Sequence, residues 1–337
     1  MFVLLIEFEH TNYQNLITDM KTKLLLLPLL MLITLSAMAQ KPDSAKLMVH
    51  YKFSHVRDTT KRDTPYTENM ILMVGQTASV YKSYDSRLQM ERMKKQMEEI
   101  RKTGTMGPTN FRMGGPSITP TEIFQFATIN KMVRKEKLIN SYLIEDPYPA
   151  INWKISGDTA TISNLHCQKA TGHLLGRDYV AWFCPDLPFR NGPWKLCGLP
   201  GLIVEAHDVK NDVIFKFDGI EEIIKTAPDA NPIENGVTQQ GGGRVMLVIG
   251  ADDNNQDPNL IALPASGIKT TQKEFVNLQE AMRKDPQAFM QSAMAAMGGG
   301  VRFNRADGTG PQINMKFNAD RGPRNVINNP IELPEKK

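Results

Sequence analysis

Cysteine is scarce: three in 337 residues, too few for a disulfide scaffold. In an oxidising compartment three thiols cannot all pair within one chain. Cys184 and Cys197 bracket a turn-rich stretch and are placed for a bridge, with Cys167 left over. The alternative is three reduced, buried thiols acting as small hydrophobes. Charge of one sign is lacking as well. The formal net charge is +4 and the charges are interspersed, which excludes the concentrated basic face that nucleic acid requires. Apolar runs stay short of the roughly 20 residues that span a bilayer, so no membrane span is expected. Gly-x-Ser-x-Gly, His-Glu-x-x-His and a phosphate loop are all missing, which removes the families built on them and nothing more. There is no repeat of fixed period.

The chain does carry an export pattern. Lys21 and Lys23 precede an apolar run from Leu24 to Leu35, followed by Ser36-Ala37-Met38-Ala39-Gln40. A basic start, a short apolar stretch and small residues at the cut describe a cleaved leader. We expect residues 20–39 to be a signal peptide cut after Ala39, with Met20 the true start. Residues 1–19 carry Glu7, Glu9 and Asp19, which suit no basic n-region, and read as an upstream mis-start. No cysteine stands at the cut, so a lipid anchor is not expected. The mature protein is then periplasmic or secreted.

Beyond the leader, hydrophobic content of 41% and charged content of 23% are those of a globular domain. Leu47, Val49, Tyr51 and Phe53 alternate with polar or weakly apolar residues, the period of a strand. Further strands are expected over 69–74, 78–84, 123–129, 135–143, 150–155, 159–168, 177–183, 202–206, 213–217 and 244–250, with Gly157-Asp158 a tight turn. Leu88, Met90, Met93, Met97 and Ile100 recur at helical spacing, so a helix is expected over 86–102, packed on the concave or open side of the sheet. Residues 271–283 and 286–297 read as helical. The remainder is rich in Gly, Asn and Pro and reads as a weakly ordered extension. The expected fold is mainly β: an antiparallel meander forming a curved sheet or half-barrel over 40–270, one or two helices, and an extension over 271–337.

One segment is unlike generic sequence. It runs Cys167-Gln168-Lys169-Ala170-Thr171, Gly176-Arg177-Asp178-Tyr179-Val180-Ala181-Trp182-Phe183, Gly192-Pro193-Trp194-Lys195 and Gly198-Leu199-Pro200-Gly201-Leu202-Ile203. It resembles the GLPGLI family of exported Bacteroidota proteins over about residues 145–220, with Asn329-Pro330-Ile331-Glu332 a looser fit. The family has no established activity, so the resemblance implies a compartment and no reaction. Cys184 and Cys197 fall outside its pattern. Leu199-Pro200-Gly201-Leu202 has the form of a type II turn, with proline at the second position and glycine supplying positive φ at the third. The hexapeptide then reads as a folding corner, or as an apolar mouth where a ligand enters the sheet.

Candidate chemistry is thin. Glu205 and His207 sit two apart on an expected strand and share a face, a pairing that serves a metal or a proton transfer, or ends a strand in solvent. His166, Cys167 and His173 form a second cluster, in which alternation turns Cys167 away from His166. Met90, Met93 and Met97, and Met290, Met294 and Met297, have the spacing of thioether copper sites and equally of core stripes. Asp252, Asp253 and Asp257 lack the glycine and glutamate of a calcium loop. Weighed together, these features lean away from an enzyme. They favour an exported binding or accessory protein for an apolar small molecule, a peptide or an envelope protein. Metal handling through the methionines and a hydrolase on Glu205 and His207 stand as alternatives. No cofactor or oligomeric state is specified.

Overall fold

The structure is a computed structural model that describes residues 42–103, 118–223, 257, 259–286, 288–289, 292 and 327–335. The leader (20–39), the expected strand over 244–250, Asp252, Asp253 and the Gly/Asn-rich stretch up to residue 326 lie outside the described residues.

The strands are β1 (Asp43–Ser44), β2 (Leu47–His55), β3 (Tyr66–Val74), β4 (Ser79–Ser83), β5 (Glu122–Phe126), β6 (Lys131–Lys137) and β7 (Ser141–Asp146) in the first half of the chain. They continue with β8 (Lys154–Ile162), β9 (Leu165–Leu174), β10 (Arg177–Cys184), β11 (Leu202–Asp208), β12 (Val213–Glu222), β13 (Leu260–Ile261) and β14 (Ile268–Thr270). Among the described residues two α-helices accompany them, α1 (Tyr84–Thr103) and α2 (Gln272–Lys284). Among the described residues twelve strands form one sheet in the order β14-β7-β6-β5-β4-β3-β2-β12-β11-β10-β9-β8, while β1 pairs with β13. Two antiparallel meanders, β2 to β7 and β8 to β12, are therefore sewn together along β2 and β12. The sheet is mostly antiparallel, with β14 parallel to β7, and it does not close.

The two-residue turns explain much of the second meander. Ser163 and Asn164 both take positive φ, 46° and 67°, and so do Leu175 and Gly176, 49° and 72°. That is the signature of the type I′ hairpin turn, whose twist matches the strands it joins. The expected turn at Gly157-Asp158 is instead a bulge inside β8, where the register slips between Ile155 and Thr159. The expected single strand over 135–143 is split between β6 and β7, joined at Leu138–Asn140, where Leu138 N–H bonds Asn140 O at 3.2 Å.

The sheet curls. β4 and β12 are three strands apart, about 14 Å if the sheet were flat, yet the Tyr81 and Phe215 rings lie 6.3 Å apart, centroid to centroid. Phe53 stacks on Phe215 at 5.2 Å on the same concave face. Both faces are apolar near the middle: Tyr51, Leu72 and Tyr81 belong to the concave core, and Met48, Ile71, Met73, Val80 and Phe124 to a second core on the convex side. The start of α1 covers the convex core rather than the concave one. Tyr84 sits edge-on to His50, and the Arg87 guanidinium reaches the sulfurs of Met48 and Met73 at 4.0 Å each. α2 is capped by Thr271 and Glu274 in a reciprocal capping box and buries Phe275 against Tyr142. No described helix is long and apolar enough to cross a membrane.

Candidate functional site

The concave side is filled by the protein itself. Between β10 and β11 the chain leaves the sheet over residues 185–201 and turns Trp194, Leu196 and Leu199 inward, where 6% or less of each stays exposed. The loop is knitted by its own backbone: Leu187 N–H to Cys184 O, Gly198 N–H to Arg190 O, Leu202 N–H to Leu187 O and Ile203 N–H to Asn191 O. The sheet reaches in to hold it. Asn191 donates to Ser79 Oγ at 2.9 Å, Gln125 donates to Trp194 O at 3.1 Å, and the Tyr51 hydroxyl donates to Ile203 O at 2.6 Å. Trp194 takes a positive φ of 55°, a setting that costs a bulky residue about 1–2 kcal/mol. The Gln125 bond and packing on Tyr179 hold it there.

The hexapeptide is not a type II turn. Gly201 lacks the positive φ such a turn demands at its third position; the described glycines that have it are Gly176, Gly198 and Gly219. Gly201 is small because of crowding. A Cβ there would stand 2.3 Å from Cys184 O and 3.0 Å from the Cα of Pro185. Leu202, Ile203 and Val204 follow, all fully buried, with a bulge at this point of the β10–β11 ladder.

Arg177 organises the other end of the segment. Its side chain is 2% exposed and pairs with the equally buried Asp208 at 2.8 Å. Asp208 Oδ1 also accepts the backbone N–H groups of Asp212 and Val213. The remaining Arg177 donors reach the chain's far end: Nη2 bonds Asn329 Oδ1 and Pro330 O, and Nε bonds Ile331 O. Residues 327–335 are thus a strap laid across the domain. Asn329 donates to Val56 O and its own carbonyl accepts from His55 Nε2 at 2.8 Å. Glu332 and Asp146 share Lys195, each at 2.9 Å, and Glu335 accepts from Gly176 N–H and faces His173. The packing leaves Gly176 no room for a side chain: a Cβ would stand 2.6 Å from Leu333 O.

Burial pushes the His55 imidazole down to about 4, against the bond to Asn329 O, with Arg57 and Arg177 adding to the fall. Burial works to raise the Asp146 carboxyl, but bonds from Arg134 and Lys195 hold it below its ordinary value. A buried charge of this kind is tolerable only when its hydrogen bonds are made, and here they are.

The remaining candidates are scattered. Cys167, Cys184 and Cys197 are all buried free thiols, so the expected Cys184–Cys197 bridge is not present. Cys197 lies instead beside the Tyr148 hydroxyl. Burial pushes the Cys167 thiol to about 11, with Cys184 nearby adding to the rise. Glu205 and His207 lie on β11 opposite Trp182 and Val180, where His207 Nδ1 is 3.0 Å from Asp208 O. Trp182 is half-buried against the core, and Gly192 and Pro193 lead into the inward Trp194. Among the described residues no three His, Cys, Asp or Glu side chains converge to hold a metal. The side chains of Met90, Met93 and Met97, and residues Met290, Met294 and Met297, lie outside the described residues. A shallow cleft of about 480 Å³ opens beside β8, lined by Thr159, Thr161, His166, Cys167, Gln168 and Asp186 among others. His55 and Asp146 were not singled out by the sequence. For Asn329 the loose fit of Asn329–Glu332 to the family pattern was the available signal.

A family described as "Protein of unknown function (Porph_ging)" has a model that matches residues 176–205, from the Gly176 turn to the strand after the hexapeptide. No curated protein matches. Among solved structures the chain is similar to PNGF-II, seen in two space groups, at 11% and 12% identity with TM-scores of 0.40 and 0.36. The matches cover 69% and 54% of this chain and 33% and 28% of the other, so the chain spans about a third of the length of the structures it matches.

Proposed function

We propose that this chain is an exported, non-catalytic binding or accessory protein, and that what it binds is an extended segment of another envelope protein, added as a strand along β8. The observation that carries this reading is the edge of the sheet. β8 runs for nine residues with β9 on one side, and among the described residues no strand pairs with its other side. The opposite edge, β14, has three residues and leads straight into α2. A long open edge is a template for another chain, and proteins that leave one unguarded use it or aggregate through it.

Geometry favours the second half of β8. The two-residue turn at Ser163-Asn164 makes Ile162 and Leu165 a hydrogen-bonded pair, so Thr161 and Thr159 turn their N–H and C=O groups away from β9. The bulge at 156–158 bends the first half aside, a usual guard on an edge. The shallow cleft lies beside Thr159 and Thr161 and would seat a side chain of the added strand. An apolar small molecule is a poorer fit, because the protein's own Trp194, Leu196 and Leu199 occupy the concave face.

The test is a displayed library of unstructured peptides panned against the full chain. Thr161→Pro removes an outward N–H without touching the ladder to β9. Peptides enriched on the wild type and lost on Thr161→Pro support strand addition. Peptides indifferent to that substitution, or no enrichment at all, overturn it. The export part is checked separately by the mass of the protein recovered from its native host, which should begin at Gln40.

A further inference from the structure

The ladder between β9 and β10 starts at the Leu175-Gly176 turn and runs from Arg177 opposite Leu174 to Phe183 opposite Gln168. Continued one step past its last pair, the same register would set Cys184 opposite Cys167, and the two thiols are close enough for Cys184 to act on Cys167. The character of that position follows from the turn. A two-residue hairpin makes its flanking pair, Leu174 and Arg177, hydrogen-bonded, and the pairs then alternate. Counting along the strands, Phe183 and Gln168 are a hydrogen-bonded pair, and Cys184 and Cys167 are a non-hydrogen-bonded one. The β8–β9 ladder agrees: Cys167 opposite Ala160 counts as hydrogen-bonded from the Ser163-Asn164 turn, so its backbone groups point to β8 and away from β10. In a non-hydrogen-bonded antiparallel pair the Cα atoms approach to about 4.5 Å and the side chains are at their closest. That lies within the Cα separation a disulfide accepts, about 4.4–6.8 Å.

Both thiols are buried, Cys167 at 2% exposure and Cys184 at 0%, and both belong to the concave core cluster. Cys167 also lines the cleft beside β8, next to Pro185 and Asp186. Cys197 is bound up elsewhere: its carbonyl accepts from Trp153 Nε1 at 2.8 Å, and its thiol lies beside Tyr148.

We propose that Cys167 and Cys184 form a cross-strand dithiol that closes to a disulfide between β9 and β10, leaving Cys197 the odd thiol. The oxidant is an exogenous disulfide such as oxidised glutathione. The Cys167 thiolate attacks one of its sulfurs, breaking that S–S bond and releasing one reduced glutathione. The Cys184 thiolate then attacks the Cys167 sulfur of the mixed disulfide and expels the second. The protein loses two hydrogens and two electrons, and both are recovered in two glutathione thiols. Because burial holds the Cys167 thiol above its ordinary value, the reaction speeds up as pH rises towards 9.

The experiment uses the full chain and trypsin, since the three cysteines fall in three separate tryptic peptides: 155–169, 178–190 and 196–210. The folded protein is incubated with oxidised glutathione at pH 8.5, and free thiols are then capped with iodoacetamide under denaturing conditions. Peptide 155–169 joined to 178–190, two hydrogens lighter than their sum, with 196–210 carrying the cap, is the expected result. Cys197→Ser should keep that link and Cys184→Ser should lose it. The oxidised protein should also melt several degrees above the reduced one. A link between 178–190 and 196–210, a glutathione adduct that persists on Cys167, or capping of all three thiols would each overturn the pairing. The Cys197→Ser variant and the wild type decide the matter even where Cys184→Ser fails to fold.

Discussion

Replacing Gly201 by alanine tests the central claim about the hexapeptide. The added Cβ would lie 2.3 Å from Cys184 O, 2.7 Å from Cys184 C and 3.0 Å from Pro185 Cα. None of these atoms belongs to a flexible side chain. Relief needs a shift of about 1 Å between the end of β10 and the start of β11, since non-bonded heavy atoms settle at about 3.5 Å. That shift works against the Leu187 N–H to Cys184 O and Leu202 N–H to Leu187 O bonds and against Leu202 and Ile203, which are fully buried. Overpacking a tight core costs about 1–3 kcal/mol, and this site lies at the upper end because backbone is the obstacle. For a domain of this size that is roughly a 5–10 °C fall in melting temperature. Gly157→Ala is the control. Nothing lies within 4 Å of a Cβ there, so its effect should stay within about 0.5 kcal/mol. Urea unfolding monitored by tryptophan fluorescence gives both values. A Gly201→Ala protein as stable as Gly157→Ala would refute the crowding argument. A type II turn differs in its response to asparagine, which tolerates positive φ: here Gly201→Asn should be no milder than Gly201→Ala.

Other expectations rest on the strap. Arg177→Ala leaves Asp208 buried without its cation and frees three strap acceptors, so a loss of about 3–5 kcal/mol is expected, read by denaturant unfolding. Ending the chain at residue 326 removes Asn329, Pro330 and Ile331 from Arg177 and should destabilise the domain by a comparable amount; an unchanged unfolding midpoint would show that the strap is passive. His55 gives a pH signature. Its imidazole is neutral in the fold, lowered to about 4, whereas the unfolded chain takes up the proton near 6.5. The stabilisation is therefore complete above about pH 6.5 and is lost as pH falls towards 4, by about 3 kcal/mol in all. His55→Gln should flatten stability over that window, and a slope equal to the wild type's would remove His55 from the account.

The alternation from Leu47 to Phe53 made β2 legible, because each inward residue meets a curved core and each outward one a different environment. The long stretch over 135–143 misled, since Leu138 and Ile139 continue the apolar pattern into what is a turn at Leu138–Asn140. Gly157-Asp158 carried the usual turn signal, yet the true turn is Ser163-Asn164, where an asparagine rather than a glycine accepts positive φ. The hexapeptide was conspicuous in sequence, but its proline and glycine pointed to a local turn. The actual constraint is a neighbour seventeen positions away, Cys184, which no local pattern encodes. The clamp was hidden for the same reason. Arg177, Asp208 and Asn329 are ordinary polar residues on their own, and only the fold makes them one buried group.

The pairing of β2 with β12 has a kinetic meaning. Leu47–His55 align with Val213–Glu222, and the Lys52–Asp218 bridge on this seam joins residues 166 apart. A polypeptide emerging from its N-terminus can complete the first meander early, but β2 keeps an open hydrogen-bonding side until the whole second meander has been made. Contacts that distant slow folding, and an apolar strand left open in the meantime is a site for aggregation. Closing this seam is then expected to come late in assembly, with one side of β2 left open until β12 has formed.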